Sequence, residues 1–269
     1  MISNYGKIFF ILGIIVIILI IFFCTSKNNI TFESYTRPKE TYKLNVIIPI
    51  RNREKELDKI TDVLEKIFKI QNIEAKYFII EQEDGKKFNK GLISNIGFLE
   101  ASKKNYCDNY LFNDVDLYPK NEFVIDYREN VENKIRHPYG NKVCLGGFFL
   151  MSGHIFKKLN GYATDFWGWG SEDTDLQNRA TILNVLIDRK NYISRYSNQQ
   201  VIVDDISYGF KKRPSQHKIA QKKCKQKYKK YKKDNSTIKD NGLTTTKYHI
   251  ISRTQYKNKP NMTRIIVKI

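Results

Sequence analysis

From residue 44 onward the chain alternates short apolar runs with amphipathic stretches. Leu44–Ile48 (LNVII) is a short, largely apolar run stopped by Pro49, and it predicts a buried strand. Glu54–Ile70 follows with Leu57, Ile60, Leu64, Ile67 and Phe68 at helical spacing. Lys76–Ile80 predicts a second strand, Leu92–Ser102 a second helix, and Tyr110–Phe112 a third strand that runs into Asn113-Asp-Val-Asp116. Strand, helix, strand, helix, strand in that order predicts an α/β layered domain with a mostly parallel central sheet. A further helix is expected from Glu172, with Ser171 as its N-cap and Leu176, Ala180 and Leu183 at helical spacing.

Before this body lies Ile8–Cys24 (IFFILGIIVIILIIFFC), free of charge and proline and long enough for a membrane span. It exceeds a usual signal-peptide core, and no small-x-small cleavage site follows it, so an uncleaved signal anchor is expected over a cleaved peptide. The expected organisation is a cytoplasmic tail at 1–7, a transmembrane anchor at 8–24, a polar stem at 25–43 and a folded domain at 44–269. Four cysteines, Cys24, Cys107, Cys144 and Cys224, lie far apart without CxxC spacing, which argues against a structural zinc site and a disulfide framework.

The net charge of +19 invites a nucleic-acid or membrane reading. Lys, Asn, Ile, Tyr and Phe are enriched together, however, as nucleotide-composition bias would produce, and no nucleic-acid motif accompanies the charge. The basic stretch 211–233 (KKRPSQHKIAQKKCKQKYKKYKK) is read as a solvated helix face or loop.

Three places carry candidate chemistry. Pro49-Ile-Arg-Asn-Arg53 joins the first strand to its helix, where open α/β sheets bind ligands and a helix N-terminus favours an anion. Arg51 and Arg53 add guanidinium forks suited to phosphate. Neither GxGxxG nor GxxxxGK[ST] occurs there, which excludes the usual dinucleotide and P-loop sites. Asp114 and Asp116 end an apolar strand; if the chain stays extended, both carboxylates face one way and suit Mg²⁺ or Mn²⁺. Lastly, WGWGSEDTD (167–175) sets the chain's two tryptophans among glycines, just before acids in a helix's first turn. Such acids stabilise the helix dipole by about 0.3–1 kcal/mol, and the same position would keep a carboxylate ionised for use as a general base.

VIIPIRNR (46–53), FNKGLISNIGF (88–98), NDVDLYP (113–119), the Gly146-Gly147 pair and WGWGSEDTD together resemble successive blocks of the β-1,4-galactosyltransferase family, as does the closing stretch 240–269. The resemblance covers residues 44–269. It implies a GT-A fold, a metal-dependent inverting transfer from a UDP-sugar to a glycan acceptor, catalytic-base and metal-ligand roles at fixed positions, and a type II membrane protein of the Golgi or another secretory-pathway membrane. By position, Pro49, Arg51, Arg53, Phe88 and Lys90 (the last in place of the family's usual Arg) match donor-nucleotide contacts. Asp114, Val115 and Gly147 match further donor-site positions. Asp116 matches the Mn²⁺ ligand, Trp169 a tryptophan on a loop that closes over the sugars, Asp173 the catalytic base and Glu172 its neighbour in the acceptor site.

Three departures qualify these expectations. The family's further metal ligand, a His, is missing from Val201-Ile-Val-Asp-Asp-Ile-Ser207, leaving Asp204 or Asp205 as hard replacements, with His217 set aside as too distant. Cys144 stands where galactose-transferring members carry a large aromatic, so UDP-GalNAc is expected as a donor beside UDP-galactose. Thr174 interrupts an acidic triplet that holds the acceptor, so acceptor identity does not carry over. The competing reading is an inactive family member that binds glycans or a partner.

Overall fold

The computed structural model describes residues 40–168, 170–196, 201–204 and 215–269. The expected anchor at 8–24, Trp169 and Asp205 lie outside the described residues. Among the described residues no helix is long and apolar enough to cross a membrane.

In chain order the elements are β1 (Tyr42–Ile50), α1 (Glu54–Ile70), β2 (Ile73–Gln82), α2 (Lys90–Ser102), β3 (Asn109–Asn113), β4 (Leu117–Pro119), β5 (Lys134–Gly140) and β6 (Phe148–Ser152). They continue with α3 (Gly153–Lys158), α4 (Glu172–Ile182), β7 (Leu186–Asp188), β8 (Ile193–Ser194), β9 (Ile202–Asp204), α5 (Ser215–Lys233), β10 (His249–Tyr256) and β11 (Lys259–Lys268). The first helix has the bounds its periodicity predicts. The first strand does not stop at Pro49. It pairs with β2 in parallel from Tyr42↔Ile73 to Ile50↔Glu81, whereas β3 pairs only with Asn45–Ile47. At Pro49 the strand therefore has a single neighbour, where a residue without an N–H is tolerated.

The strand order is β10-β11-β2-β1-β3-β6-β5-β7, with β8 also on β5, and β4–β9 forms a separate small sheet. β11, β2, β1 and β3 run parallel. β6, however, lies antiparallel between β3 and β5, and β10–β11 is a hairpin. The sheet is thus mixed, a correction to the mostly parallel expectation. The cause is local: the short connection 141–147 from β5 to β6 has no room for a crossover, which parallel pairing requires.

Alternation along β1 divides the core. Val46 and Ile48 join Leu57, Ile60, Leu64 and Ile67 of α1 on one face; Ile47 joins Ile93, Ile96 and Phe98 of α2 on the other. Gly97 permits that second packing, since a Cβ there would fall 2.5 Å from Ile47 Cγ2. Within the basic stretch, Ser215–Lys233 form helix α5, which buries Cys224 and Tyr231. Cys107, Cys144 and Cys224 are free thiols.

Arg179 on α4 is fully buried with Asp175, its Nε 2.8 Å from the carboxylate. Its remaining N–H groups donate to the carbonyls of Leu159, Asn160, Gly161 and Asn241 and to the Tyr231 hydroxyl. One guanidinium therefore ties α4 to the turn after α3, to α5 and to the segment before β10. Removing one partner of a buried ion pair costs roughly 3–5 kcal/mol. Arg179→Ala is expected to destabilise the domain by about that amount in denaturant unfolding, with Arg179→Lys recovering only part because an ammonium lacks the fork. A loss under about 1 kcal/mol would contradict this role.

Candidate active site

The site lies beyond the carboxyl ends of β1 and β3. After β1 the chain turns through Asn52 at φ 54° and delivers Arg51 and Arg53 to this end. Arg51 donates to the Lys86 carbonyl at 2.6 Å, and its guanidinium lies over the Phe88 ring, 5.4 Å from the centroid. Arg53 reaches Asp116 at 2.9 Å and Glu56 at 3.2 Å. The α1 N-terminus is not a bare anion site: Glu54 and Glu56 occupy its first turn. An anion arriving here is met by guanidinium groups more than by the helix dipole, which the acids already offset.

The centre of the site is Lys90, in the first turn of α2. Its Nζ lies 2.8 Å from Asp114 Oδ1, 3.0 and 3.1 Å from the two Asp173 oxygens, and 3.9 Å from Glu172. Asn89 fixes this turn by accepting from Leu92 N–H and donating to the Thr164 carbonyl, while Gly168 N–H donates to the Phe88 carbonyl. The Phe88–Lys90 stretch is thereby joined to Thr164, just before WGWG, and to Gly168 within it. Burial works against the Lys90 charge, but Asp114 and Asp173 outweigh it and hold the ammonium well above its ordinary value. Burial also pushes the Asp173 carboxyl well above the usual aspartate range; Lys90 opposes this, and Glu172 and Asp114 reinforce it. Asp173 is thus a carboxylate with raised proton affinity. That reverses the expectation that its place at a helix start would favour the charged form, because burial among like charges outweighs the dipole.

The loop 141–147 brings the acids together through backbone bonds. Leu145 N–H donates to the Asp173 carbonyl, and Asp114 N–H to the Gly147 carbonyl. Gly147 has φ +91°, a bend that favours glycine, and a Cβ on Gly146 would sit 3.0 Å from Asp173 Oδ2, so any larger residue there would press on the carboxylate. Cys144 lies against the same carboxylate: burial, then Asp173, pushes its thiol up to about 11, leaving an unreactive small side chain. A second set of contacts braces this loop from behind. His137 is buried, and burial lowers its pKa to about 4. Arg189 Nε donates to His137 Nδ1 at 3.2 Å, which leaves Nε2 as the donor to the Gly146 carbonyl at 3.0 Å. Arg189 also donates to Gln177 Oε1, whose amide donates to the Lys142 carbonyl.

Most of the expected site residues gather here: Arg51, Arg53 and Phe88 on one side, and Lys90, Asp114, Cys144, Gly147, Glu172 and Asp173 on the other. Pro49 precedes the first group in β1, and Val115 is buried in the core between the two aspartates. Two expectations need correction. Asp114 and Asp116 do not point together from an extended strand; the chain turns between them, with Leu117 N–H donating to the Asp114 carbonyl, and they engage different cations. Ser171 precedes α4 in a left-handed conformation (φ 76°) without a side-chain cap, so it is not a conventional N-cap. His137, Arg189 and Gln177 carry no sequence signal that links them to the site; only the fold brings them behind Gly146.

For a divalent cation, Asp116 offers a partly exposed carboxylate, and antiparallel β4–β9 sets Asp204 opposite Leu117, one position away. Hard oxygen donors of this kind fit Mn²⁺ or Mg²⁺, although no group of three or more His, Cys, Asp or Glu side chains forms a cage among the described residues. His217 belongs elsewhere, against Gly170, where a Cβ would fall 2.6 Å from its Nδ1.

Such a mixed sheet, with charged loops gathered beyond its parallel strands, is the GT-A-like fold of nucleotide-sugar glycosyltransferases. The catalytic domain of Drosophila β-1,4-galactosyltransferase 7, solved with xylobiose, superposes with a TM-score of 0.68 at 23% identity over 85% of this chain and 94% of that one. A mutant of that enzyme solved with manganese, UDP-Gal and xylobiose gives a TM-score of 0.65 at 20% identity. Models of the N-terminal region of glycosyl transferase group 7 and of the N-terminal domain of galactosyltransferase match residues 25–128 and 128–200. The chain belongs to this β-1,4-galactosyltransferase family. It is 34% identical to human β-1,4-galactosyltransferase 4 over 57% of its own length and 47% of the relative's. With human β-1,4-galactosyltransferase 7 it shares 32% identity over 79% and 63% respectively. The chain spans about half the length of the curated relatives it matches first.

Because Lys90 lowers the proton affinity of Asp173, Lys90→Met is expected to raise the Asp173 pKa further. Carboxyl ¹³C NMR titration of both proteins checks this. A titration that stays in place or moves down would show that Lys90 does not govern the charge of Asp173.

Proposed function

We propose that the protein is an inverting, UDP-sugar-dependent glycosyltransferase that moves galactose or N-acetylgalactosamine to a glycan hydroxyl in β-1,4 linkage. The observation that carries the proposal is the half-buried Asp173, held beside Lys90 and the Cys144–Gly147 loop, at the family's base position in WGWGSEDTD. UDP-Gal and manganese in the Drosophila relative's complex support the donor and metal classes.

In this reading Arg51 and Arg53 bind the diphosphate of the donor, Phe88 packs beside the nucleotide, and Lys90 joins the anionic donor to the base. Asp173 takes the proton of the acceptor hydroxyl as that oxygen bonds to the anomeric carbon. The bond from that carbon to the diphosphate oxygen breaks on the opposite face, so the anomeric centre inverts and the electron pair leaves with UDP. The same raised proton affinity that makes Asp173 a stronger base also sets an acid limit: it works only when ionised, so transfer falls as pH drops through its raised pKa. Arg51, Arg53 and Lys90 offset negative charge on the departing diphosphate, the kind of electrostatic help that contributes most to such transfers. Asp116, with Asp204 or Asp205, would hold Mn²⁺ or Mg²⁺, which when bound supplies further positive charge to the diphosphate. Trp169 would cover the sugars, and Glu172 would contact the acceptor. Membrane anchorage through residues 8–24 in the secretory pathway completes the proposal and rests on the apolar sequence alone.

Removal of the base alone tests the chemistry. Asp173→Asn is expected to reduce transfer by roughly 10²–10⁴-fold while calorimetry shows UDP binding retained. Undiminished transfer would remove Asp173 as the base, and metal-dependent UDP binding without transfer by the unsubstituted protein would favour a binding role instead. The donor choice is separately testable. Cys144 is small, so Cys144→Tyr is expected to lower use of UDP-GalNAc relative to UDP-galactose in competition assays. An unchanged ratio would show that residue 144 does not limit the N-acetyl group.

A further inference from the structure

Helix α5 contains nine lysines and no acidic residue. Its two faces treat those lysines differently. On the packed side, Lys223 and Lys227 bind Asp165 at 2.9 and 3.2 Å; the exposed Lys230, at the edge of that side, binds Asp240 at 2.7 Å. On the outer side, Lys218, Lys222, Lys225, Lys229, Lys232 and Lys233 are exposed, and none makes an ion pair among the described residues. Their steps of three and four place them on one face, a row about 22 Å long at 1.5 Å per residue. Compositional enrichment in lysine does not account for an absence of acids on the same helix. Like charges at these spacings repel, so the row carries a standing repulsion that a bound polyanion would relieve.

The position of the row identifies its use. The first turn of α5 sets His217 against Gly170, two residues before Glu172. Lys223 donates to the Asp165 carbonyl at 2.7 Å, and Lys223 and Lys227 lie over the Phe166 ring at 5.5 and 6.0 Å. The helix is therefore docked on the segment that enters the acceptor side of the site. We infer that the outer lysine face binds an anionic glycan acceptor, one carrying carboxylate or sulfate groups, and directs its end toward Asp173. This rests on the transferase reading above and adds the acceptor's chemical class to it. Nucleic acid is the poorer match: the helix's tyrosines do not lie in the exposed row (Tyr231 is buried and Tyr228 half-buried), leaving no aromatic surface there for base stacking.

The test uses the full chain without donor sugar and a fluorescent heparin oligosaccharide as probe, compared with a neutral dextran oligosaccharide and with phosphatidylserine vesicles. The second protein is the combined variant Lys218→Gln, Lys222→Gln, Lys225→Gln, Lys229→Gln, whose positions are all exposed. Binding of the heparin probe is expected to weaken with salt, to fall about tenfold or more in the variant, and to be absent for dextran. UDP binding, measured separately by calorimetry, is expected to be equal in the two proteins. Equal heparin binding by both proteins, or charge-dependent binding of vesicles only, would overturn the inference. Absence of UDP binding in both proteins would instead strike the transferase proposal, so the two failures are distinguishable.

Discussion

The Lys90 ammonium sits between Asp114 and Asp173, and the arrangement of the candidate site depends on it. Three carboxylates gather around a half-buried position. Without a cation between them their mutual repulsion and desolvation would drive protons onto them or push them apart. With it, Asp173 is held as a carboxylate whose proton affinity is raised but countered. The same group joins the two halves of the site, because Asp114 follows β3 and Asp173 starts α4.

The scaffold around this ion cluster is stiff for identifiable reasons. Loop 141–147 binds the backbones of Asp114 and Asp173 at once, so their separation is set by covalent geometry as well as by charge. A neutral, tautomerically fixed His137 holds the Gly146 carbonyl, and Arg189 holds His137. On the far side, Arg179 fixes α4 to three neighbouring segments. Positioning groups to this degree is what electrostatic catalysis requires, since donors fixed in advance need not reorganise during reaction.

Much of this was legible from residue patterns, and the remainder was not for physical reasons. Helix α1 and the start of α4 follow from apolar periodicity and a charge change, both local signals. The mixed sheet was missed because the direction of β6 depends on a short loop and on pairing with β3, which is remote in sequence. Arg51, Arg53, Lys90, Asp114, Asp116 and Asp173 carry motif signals, but the motifs did not show that Lys90 binds two of the acids or that Asp114 and Asp116 part company at a turn. His137, Arg189 and Gln177 were invisible because each has an ordinary sequence neighbourhood and acquires its role only through contacts made by folding. The pattern of the basic stretch suits a solvated helix face or loop equally, whereas the packed side of α5 is paired and partly buried.

An inverting transfer needs the base and the diphosphate on opposite faces of the donor carbon, and the product records that geometry. The most direct measurement is the anomeric configuration of the product formed from an α-configured UDP-sugar, read from the ¹H NMR coupling of its anomeric proton. The account predicts a β-linked product. An α-linked product would contradict direct displacement by a hydroxyl activated at Asp173.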